Sequence, residues 1–299
     1  MSNTIWNNKG FQWIVLISLA FIWGTSFILM KKGLDSFNNY HVAAFRIFFS
    51  FVLLLPVSIK NIRKINIRNF KSLLIAGFLG IAIPAVLFTT AQTHISSSLA
   101  GILNSLTPFF TLLVGLLLYK VKFRWLSFIG VMIGMVGAAG LVVHKSSDIL
   151  YNVNIYAILV VIATLCYGTN INEIKSKLSH MTGLEITSLA TLLIGPFGAV
   201  YLIISDFSYV SVSRDMWLSL LYVFLLALFC SVIALIIFNT LIRYTSAVFS
   251  SSVTYIIPIF AIMWGLFDGE SLTFVQLVWT SLILIGVYLI NRNNNKSTL

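Results

Sequence analysis

Charge is what this chain has least of. Only 9% of its 299 residues are Asp, Glu, Lys or Arg, against roughly a quarter in a soluble domain, and so few cannot cover a water-facing surface. Acid is scarcer than base, with eight carboxylates against 19 Lys and Arg. Cysteine is nearly missing. Cys166 and Cys230 lie inside apolar runs, make no CxxC pair and provide no disulfide framework, so they read as small packing residues. There is no HExxH, no GxSxG, no glycine-rich phosphate loop, and no cluster of acids and histidines at metal-ligand spacing. These absences argue against an enzyme and against a metal or organic cofactor. Loops are short and no polar stretch is long enough for a soluble domain, which leaves a sensor or assembly factor without support.

Long apolar runs fill the chain instead. It is 59% hydrophobic with a mean hydropathy of +0.99. Repeated stretches near 20 residues require an all-α integral membrane protein, because in lipid each backbone polar group must be satisfied within its own segment. Ten runs are expected to span, at about 12–31, 41–59, 70–92, 97–119, 124–143, 153–172, 184–204, 216–240, 247–267 and 274–290. The first, "FQWIVLISLAFIWGTSFILM", is long enough to cross and offers no A-x-A cleavage site, so it is expected to be a retained helix and not a signal peptide.

The net charge of +11 sits in loops between spans, which favours membrane topology over nucleic-acid binding. With ten spans both termini share one side. That side holds Lys9, Lys60, Arg63, Lys64, Arg68, Lys71, Lys120, Lys122, Arg124, Lys175, Lys177, Arg243, Arg292 and Lys296; the other holds Lys31, Lys32, Arg46, Lys145 and Arg214. The positive-inside rule therefore predicts cytoplasmic termini and a multi-pass protein of the cell (inner) membrane. Asp35, Asp148, Asp206, Asp215, Asp268 and Glu270 all fall outside.

The chain also repeats itself. Sliding it by 150 residues sets Phe88 on Phe238, Thr90 on Thr240, Ser96 on Ser246, Pro108 on Pro258 and Gly115 on Gly265; for the first span the offset is 144, with Gly24–Thr25 on Gly168–Thr169 and Lys31 on Lys175. Two units follow, 1–147 and 148–299. Each has five spans, an odd number, so the second must insert upside down. Inverted repeats are a plan of secondary transporters, whose site lies near the midplane where the halves meet. The loops fit: Lys120 falls opposite Glu270, a basic turn against an acidic one.

Several segments carry a family resemblance: "IWGTSFILMKKG" (22–33), "FRIFF" (45–49), "SLTPFFTLLVGLLLYKVKFRWLSFIGVMIGMVGAAG" (105–140) and "YIIPIFAIMWGLFDGESLTFVQLVWTSLILIGV" (255–287). The chain resembles the EamA-like ten-helix exporters of the drug/metabolite transporter superfamily, from about residue 12 to 290. Trp23, Gly24, Phe27 and Lys31 match the pattern in span 1, Arg46 in span 2, Pro108 and Pro258 in spans 4 and 9, and Gly269–Glu270 at the "GE" turn. The first-half turn departs from it with Tyr119–Lys120, and span 6 carries Asn170, Asn172 and Glu173 where apolar residues are expected. The resemblance implies export of amino acids or other small metabolites and fixes no ligand.

Polar groups at membrane depth mark a candidate substrate cavity, since unpaired ones are costly there. The candidates are Trp23, Thr89, Asn104, Tyr167, Asn170, Asn239, Ser251 and Tyr255. Pro108 and Pro258 are expected to kink their helices. For Ser and Thr the competing reading is back-bonding to the preceding turn or helix packing. Lys31 and Arg46 admit either snorkelling to the outer interface or a gating and anion-attracting role. Gly130, Gly134 and Gly137 read as a close-packing stripe. Glu173 is expected to pair with Lys177 one turn on, and Asp268 and Glu270 to lie in a solvated outer turn. The expected partners are a small-molecule substrate and the bilayer. Small-residue faces serve internal packing as well as association, so a monomer fits and the oligomeric state is open. The expected function is alternating-access export through a cavity between the repeats, the alternatives being a lipid flippase or scramblase-like translocator and a multidrug exporter.

Overall fold

A computed structural model describes residues 5–120, 125, 128–130, 132–134, 136–137, 155–270 and 273–292. These residues are helical or in turns, with no strand among them. Eight helical stretches are long and apolar enough to cross a membrane: Lys9–Leu34, Asn39–Lys64, Ile67–Gln92, Ser97–Leu118, Ile155–Lys177, Gly183–Ile204, Arg214–Tyr244 and Ala247–Phe267. Each coincides with an expected span. The tenth expected span falls on a ninth long helix, Phe274–Arg292. The fifth, 124–143, lies largely outside the described residues; those of it that are described are helical.

We number the α-helices α1 (Lys9–Leu34), α2 (Asn39–Asn61), α3 (Ile67–Gly77), α4 (Ile83–Gln92), α5 (Ser97–Asn104), α6 (Thr107–Leu118), α7 (Ile155–Lys177), α8 (Gly183–Ile204), α9 (Arg214–Leu225), α10 (Ala234–Tyr244), α11 (Ala247–Ser251), α12 (Ile257–Phe267) and α13 (Phe274–Arg292). Their starts follow from local chemistry. Side-chain oxygens of Asn38, Ser96, Thr182 and Ser246 each accept from a backbone N–H three residues on, closing α2, α5, α8 and α11 at the N-terminus. Ser96 and Ser246, 150 residues apart, do the same work.

Four spans are not continuous α-helices. α3 runs into α4 through a π-helical turn at Phe78–Ala82, and α9 into α10 through a longer one at Leu226–Ile233. α5 breaks at Ser105–Leu106 before α6, and α11 passes through a 3-10 turn, Ser252–Tyr255, before α12. Shifted by 150, each interruption in the first half falls on one in the second. Pro108 and Pro258 sit in the first turn of the segment after the break. They start new helices and do not bend continuous ones, a place where proline's missing N–H removes no helical bond.

Close backbone approach holds the bundle together. Gly168 of α7 meets the start of α6, where a Cβ would lie 2.7 Å from the Phe110 carbonyl carbon and the Thr111 nitrogen. One turn on, the Asn172 amide donates to Thr111 O at 2.7 Å. The glycine stripe of the fifth span is used likewise: a Cβ on Gly286 of α13 would lie 2.4 Å from Gly130 O and 2.6 Å from Gly134 N. Gly168→Val should therefore force α7 off α6, destabilising the protein by about 1–3 kcal/mol, read as a lower melting temperature in detergent.

Candidate functional site

Interrupted helices expose backbone groups that a regular helix would satisfy, and the centre of the bundle is built around them. In the second π turn the Trp23 indole Nε1–H donates to Cys230 O at 3.0 Å, and Arg46 Nε donates to Ser231 Oγ at 2.6 Å. The first π turn contributes Gly80, where a Cβ would lie 2.5 Å from Asn170 Nδ2; the missing side chain makes room for the amide. Gly80 and Cys230 are 150 residues apart. π turns recur at functional sites because they displace side chains and free carbonyls.

Between these turns lies a small cavity of about 70 Å³, lined by Trp23, Ser26, Phe27, Met30, Arg46, Gly80, Phe88, Asn104, Thr107, Tyr167, Asn170, Ile171, Cys230, Leu235, Phe238 and Thr254. The lining is nearly a set of pairs at the two offsets: Trp23 with Tyr167, Ser26 with Asn170, Phe27 with Ile171, Phe88 with Phe238, and Asn104 with Thr254. Aromatic rings pack along its wall, Trp23 edge-on to Phe238 at 4.9 Å and Phe88 stacked on Tyr167 at 6.0 Å.

The cavity brings together five of the residues singled out from sequence: Trp23, Arg46, Asn104, Tyr167 and Asn170. Four others lie elsewhere. Thr89 turns its hydroxyl back to Ala85 O and Val86 O, and Ser251 to Val248 O. Asn239 donates to Thr187 Oγ1 at 2.9 Å, joining α10 to α8. Tyr255 is in the 3-10 turn with its hydroxyl buried and unpartnered. For Thr89, Ser251 and Asn239 a neighbouring backbone or helix supplied a nearer partner than the cavity. Met30, Gly80, Phe88, Leu235 and Phe238 line the cavity without having been marked for it, and Phe27 was marked only by its match to the family pattern, because apolar and small residues look alike whether they face lipid or a site.

Arg46 does not snorkel. It sits seven residues into α2, about 10 Å along the helix, is 9% exposed and lines the cavity. An arginine at that depth costs roughly 2.5–3.5 kcal/mol on insertion scales, so its placement is informative. Lys31 behaves otherwise. Its Nζ lies 2.7 Å from Asp268 and 3.1 Å from Glu270, and Lys32 lies 2.6 Å from Asp268. Glu270 also accepts from the Ser97 and Ser98 backbone N–H groups and the Ser98 hydroxyl.

The expected solvated turn is thus a charged clasp. Gly269, at φ +80, reverses the chain, and Glu270, with its side chain 9% exposed, caps the N-terminus of α5 while binding the end of α1. The macrodipole and free amides of α5 favour a carboxylate there. Burial pushes the Glu270 carboxyl up, but Ser98, Ser97 and Lys31 outweigh it and hold it below 4.5; Lys31 and Lys32 hold Asp268 below 3.8.

The other end of the bundle has one such pair among the described residues, Lys64 with Glu185, and is otherwise joined by contacts of a different kind. Lys175, the counterpart of Lys31, donates to Ile242 O and Arg243 O at the last turn of α10. Glu173 is not paired with Lys177 among the described residues; it accepts from the Ser72 hydroxyl at 2.5 Å and from the Tyr119 hydroxyl. Those two groups, on α3 and at the end of α6, reach it through tertiary packing that spacing along α7 cannot reveal.

The EamA-like transporter family matches this sequence twice, over residues 10–143 and 154–292. The uncharacterized inner membrane transporter YedA of Escherichia coli K12 is 27% identical over 281 residues, covering 92% of this chain and 89% of that one. An uncharacterized transporter of Archaeoglobus fulgidus is 24% identical, covering 94% and 99%. A probable terminal-alkyne amino-acid exporter of Streptantibioticus cattleyicolor is 23% identical, covering 94% and 93%. One solved crystal structure superposes with a TM-score of 0.68 at 12% identity, over 98% of this chain and all of that one, a likeness of fold.

The clasp predicts an order of effects. Glu270→Ala leaves two amides of α5 without their acceptor and should cost about 1–3 kcal/mol. Asp268→Asn should cost no more than about 1 kcal/mol, since Lys31 and Lys32 are about a third exposed. Both carboxyls are lowered in the folded state, so their contribution is complete above pH 4.5 and lost as pH falls through their lowered values. Melting temperatures in detergent from pH 7 to 3 measure both effects.

Proposed function

This chain belongs to the EamA-like transporter family, and from that premise we propose that it exports small metabolites across the inner membrane, amino acids foremost, by alternating access through the central cavity. The observation that carries the reading is that cavity: five polar or aromatic residues at membrane depth, drawn from both halves of the chain and gathered at two π turns. A relative named as a probable amino-acid exporter lends support to the substrate class, and the name of YedA to the inner membrane.

The reading includes ten membrane helices in two inverted five-helix units, 1–147 and 148–299, with both termini in the cytoplasm. Its supports are the recurrence of π turns, breaks and serine caps 150 residues apart, the double family match, and the excess of Lys and Arg in loops on the side of the termini. Cavity residues are Trp23, Asn104, Tyr167 and Asn170, with Arg46 as the charged group. Lys31 belongs to the outer clasp, where it would act as a gate element.

Proteoliposomes containing the full chain and loaded with labelled amino acids, nucleosides or amphipathic cations measure this directly. Counterflow of at least one small solute is expected, and Trp23→Ala or Asn104→Ala should change its rate by about tenfold or more while the melting temperature holds. Unchanged flux in both variants removes the cavity assignment. Movement of fluorescent lipid with no solute flux moves the reading to lipid translocation.

A further inference from the structure

We infer that the cavity selects a solute bearing a carboxylate, held by the Arg46 guanidinium, with the apolar body of the solute against the aromatic wall. This rests on the cavity being the transport site and narrows its substrate.

The argument begins with an unanswered charge. Arginine carries five N–H donors; among the described residues only Nε has a hydrogen-bond partner, the neutral hydroxyl of Ser231. Among the described residues no carboxylate lies within 4.0 Å of the guanidinium: Asp268, Glu270 and Glu185 pair with lysines, and Glu173 is held by Ser72 and Tyr119. A buried ion normally has a partner of opposite sign. A carboxylate matches the planar fork of a guanidinium through two parallel hydrogen bonds.

A second unsatisfied group belongs to a residue of the same lining. The Asn170 side-chain oxygen is buried without a partner and lines the cavity beside Gly80. It offers an acceptor to an ammonium, amine or hydroxyl on the same solute. Among the described residues no acid lines the cavity, so the amine end of a solute meets an amide while the carboxylate end meets a full charge. Carboxylate should therefore decide entry, and a cation should be refused. A phosphate monoester shares the anionic chemistry, but its second charge would find no partner against Trp23, Phe88, Tyr167 and Phe238.

Counterflow of labelled L-phenylalanine in proteoliposomes, competed by 3-phenylpropionate, phenethylamine and phenyl phosphate, separates the cases on the unmodified protein. Competition by 3-phenylpropionate at least about tenfold stronger than by phenethylamine or phenyl phosphate is expected, one tenfold being the discrimination of a single charge-assisted pair. Arg46→Gln should lower phenylalanine flux by about tenfold or more, and Arg46→Lys should keep part of it. Equal competition by phenethylamine, stronger competition by phenyl phosphate, or undiminished flux in a folded Arg46→Gln overturns the inference. Transport of amines or nucleosides but no carboxylate overturns it and leaves the transporter reading standing. No flux of any solute removes both.

Discussion

Hydrocarbon offers no hydrogen bonds, and the arrangement of this protein follows from that restriction. Every polar atom at depth must find a partner inside the protein. Most serine and threonine hydroxyls do so locally: Thr25 to Phe21 O, Ser50 to Arg46 O, Ser58 to Leu54 O, Thr111 to Thr107 O, Thr240 to Ile236 O. Such residues are spent within their own helix. What is left over becomes meaningful, and among the described residues the leftovers are few: the guanidinium of Arg46, the side-chain oxygens of Gln92 and Asn170, and the hydroxyls of Thr191 and Tyr255.

Interruptions in the helices supply the rest of the chemistry. A π turn offsets the hydrogen-bond ladder by one residue, as in Ile83 N–H to Phe78 O and Ala234 N–H to Phe229 O. The displaced backbone of the second turn takes the Trp23 indole and carries the serine that holds Arg46. The glycine of the first admits Asn170. Residues from α1, α2 and α7 thus meet at depth without a single regular helix having to bend toward another.

Much of this was legible in the residues. Hydropathy placed nine spans to within a few residues of the helices, because twenty apolar residues in a row have few other uses. Internal likeness at a fixed offset anticipated paired interruptions around Pro108 and Pro258, though not that the prolines open new segments. Trp23, Asn104, Tyr167 and Asn170 stood out as polar or amphipathic groups at depth. The aromatic wall did not, since Phe27 or Phe238 facing a cavity has the same composition as one facing lipid. Nor did the clasp: Lys31 and Glu270 are 239 residues apart, and only the folded chain shows that the acid has a base waiting for it. Sequence made that turn a costly place for a buried charge, and it is one, but the charge is compensated.

The two ends of the bundle differ in how much of their fastening is ionic. At the clasp, α1 is held to the turn after α12 by three contacts between full charges. At the other end a single pair among the described residues, Lys64 with Glu185, joins the chain after α2 to α8, while α7 is held to α10 by one lysine on backbone carbonyls and Glu173 by two hydroxyls. Dissolved salt screens exposed charges over about 8–10 Å at physiological strength and reaches buried dipolar contacts far less. Ionic strength therefore acts on the clasp and on the exposed Lys64–Glu185 pair, and least on the seam between α7 and α10. A bath of rising salt therefore loosens the charged contacts first and spares the α7–α10 seam, making the ionic composition of the medium itself a term in how firmly each end is held.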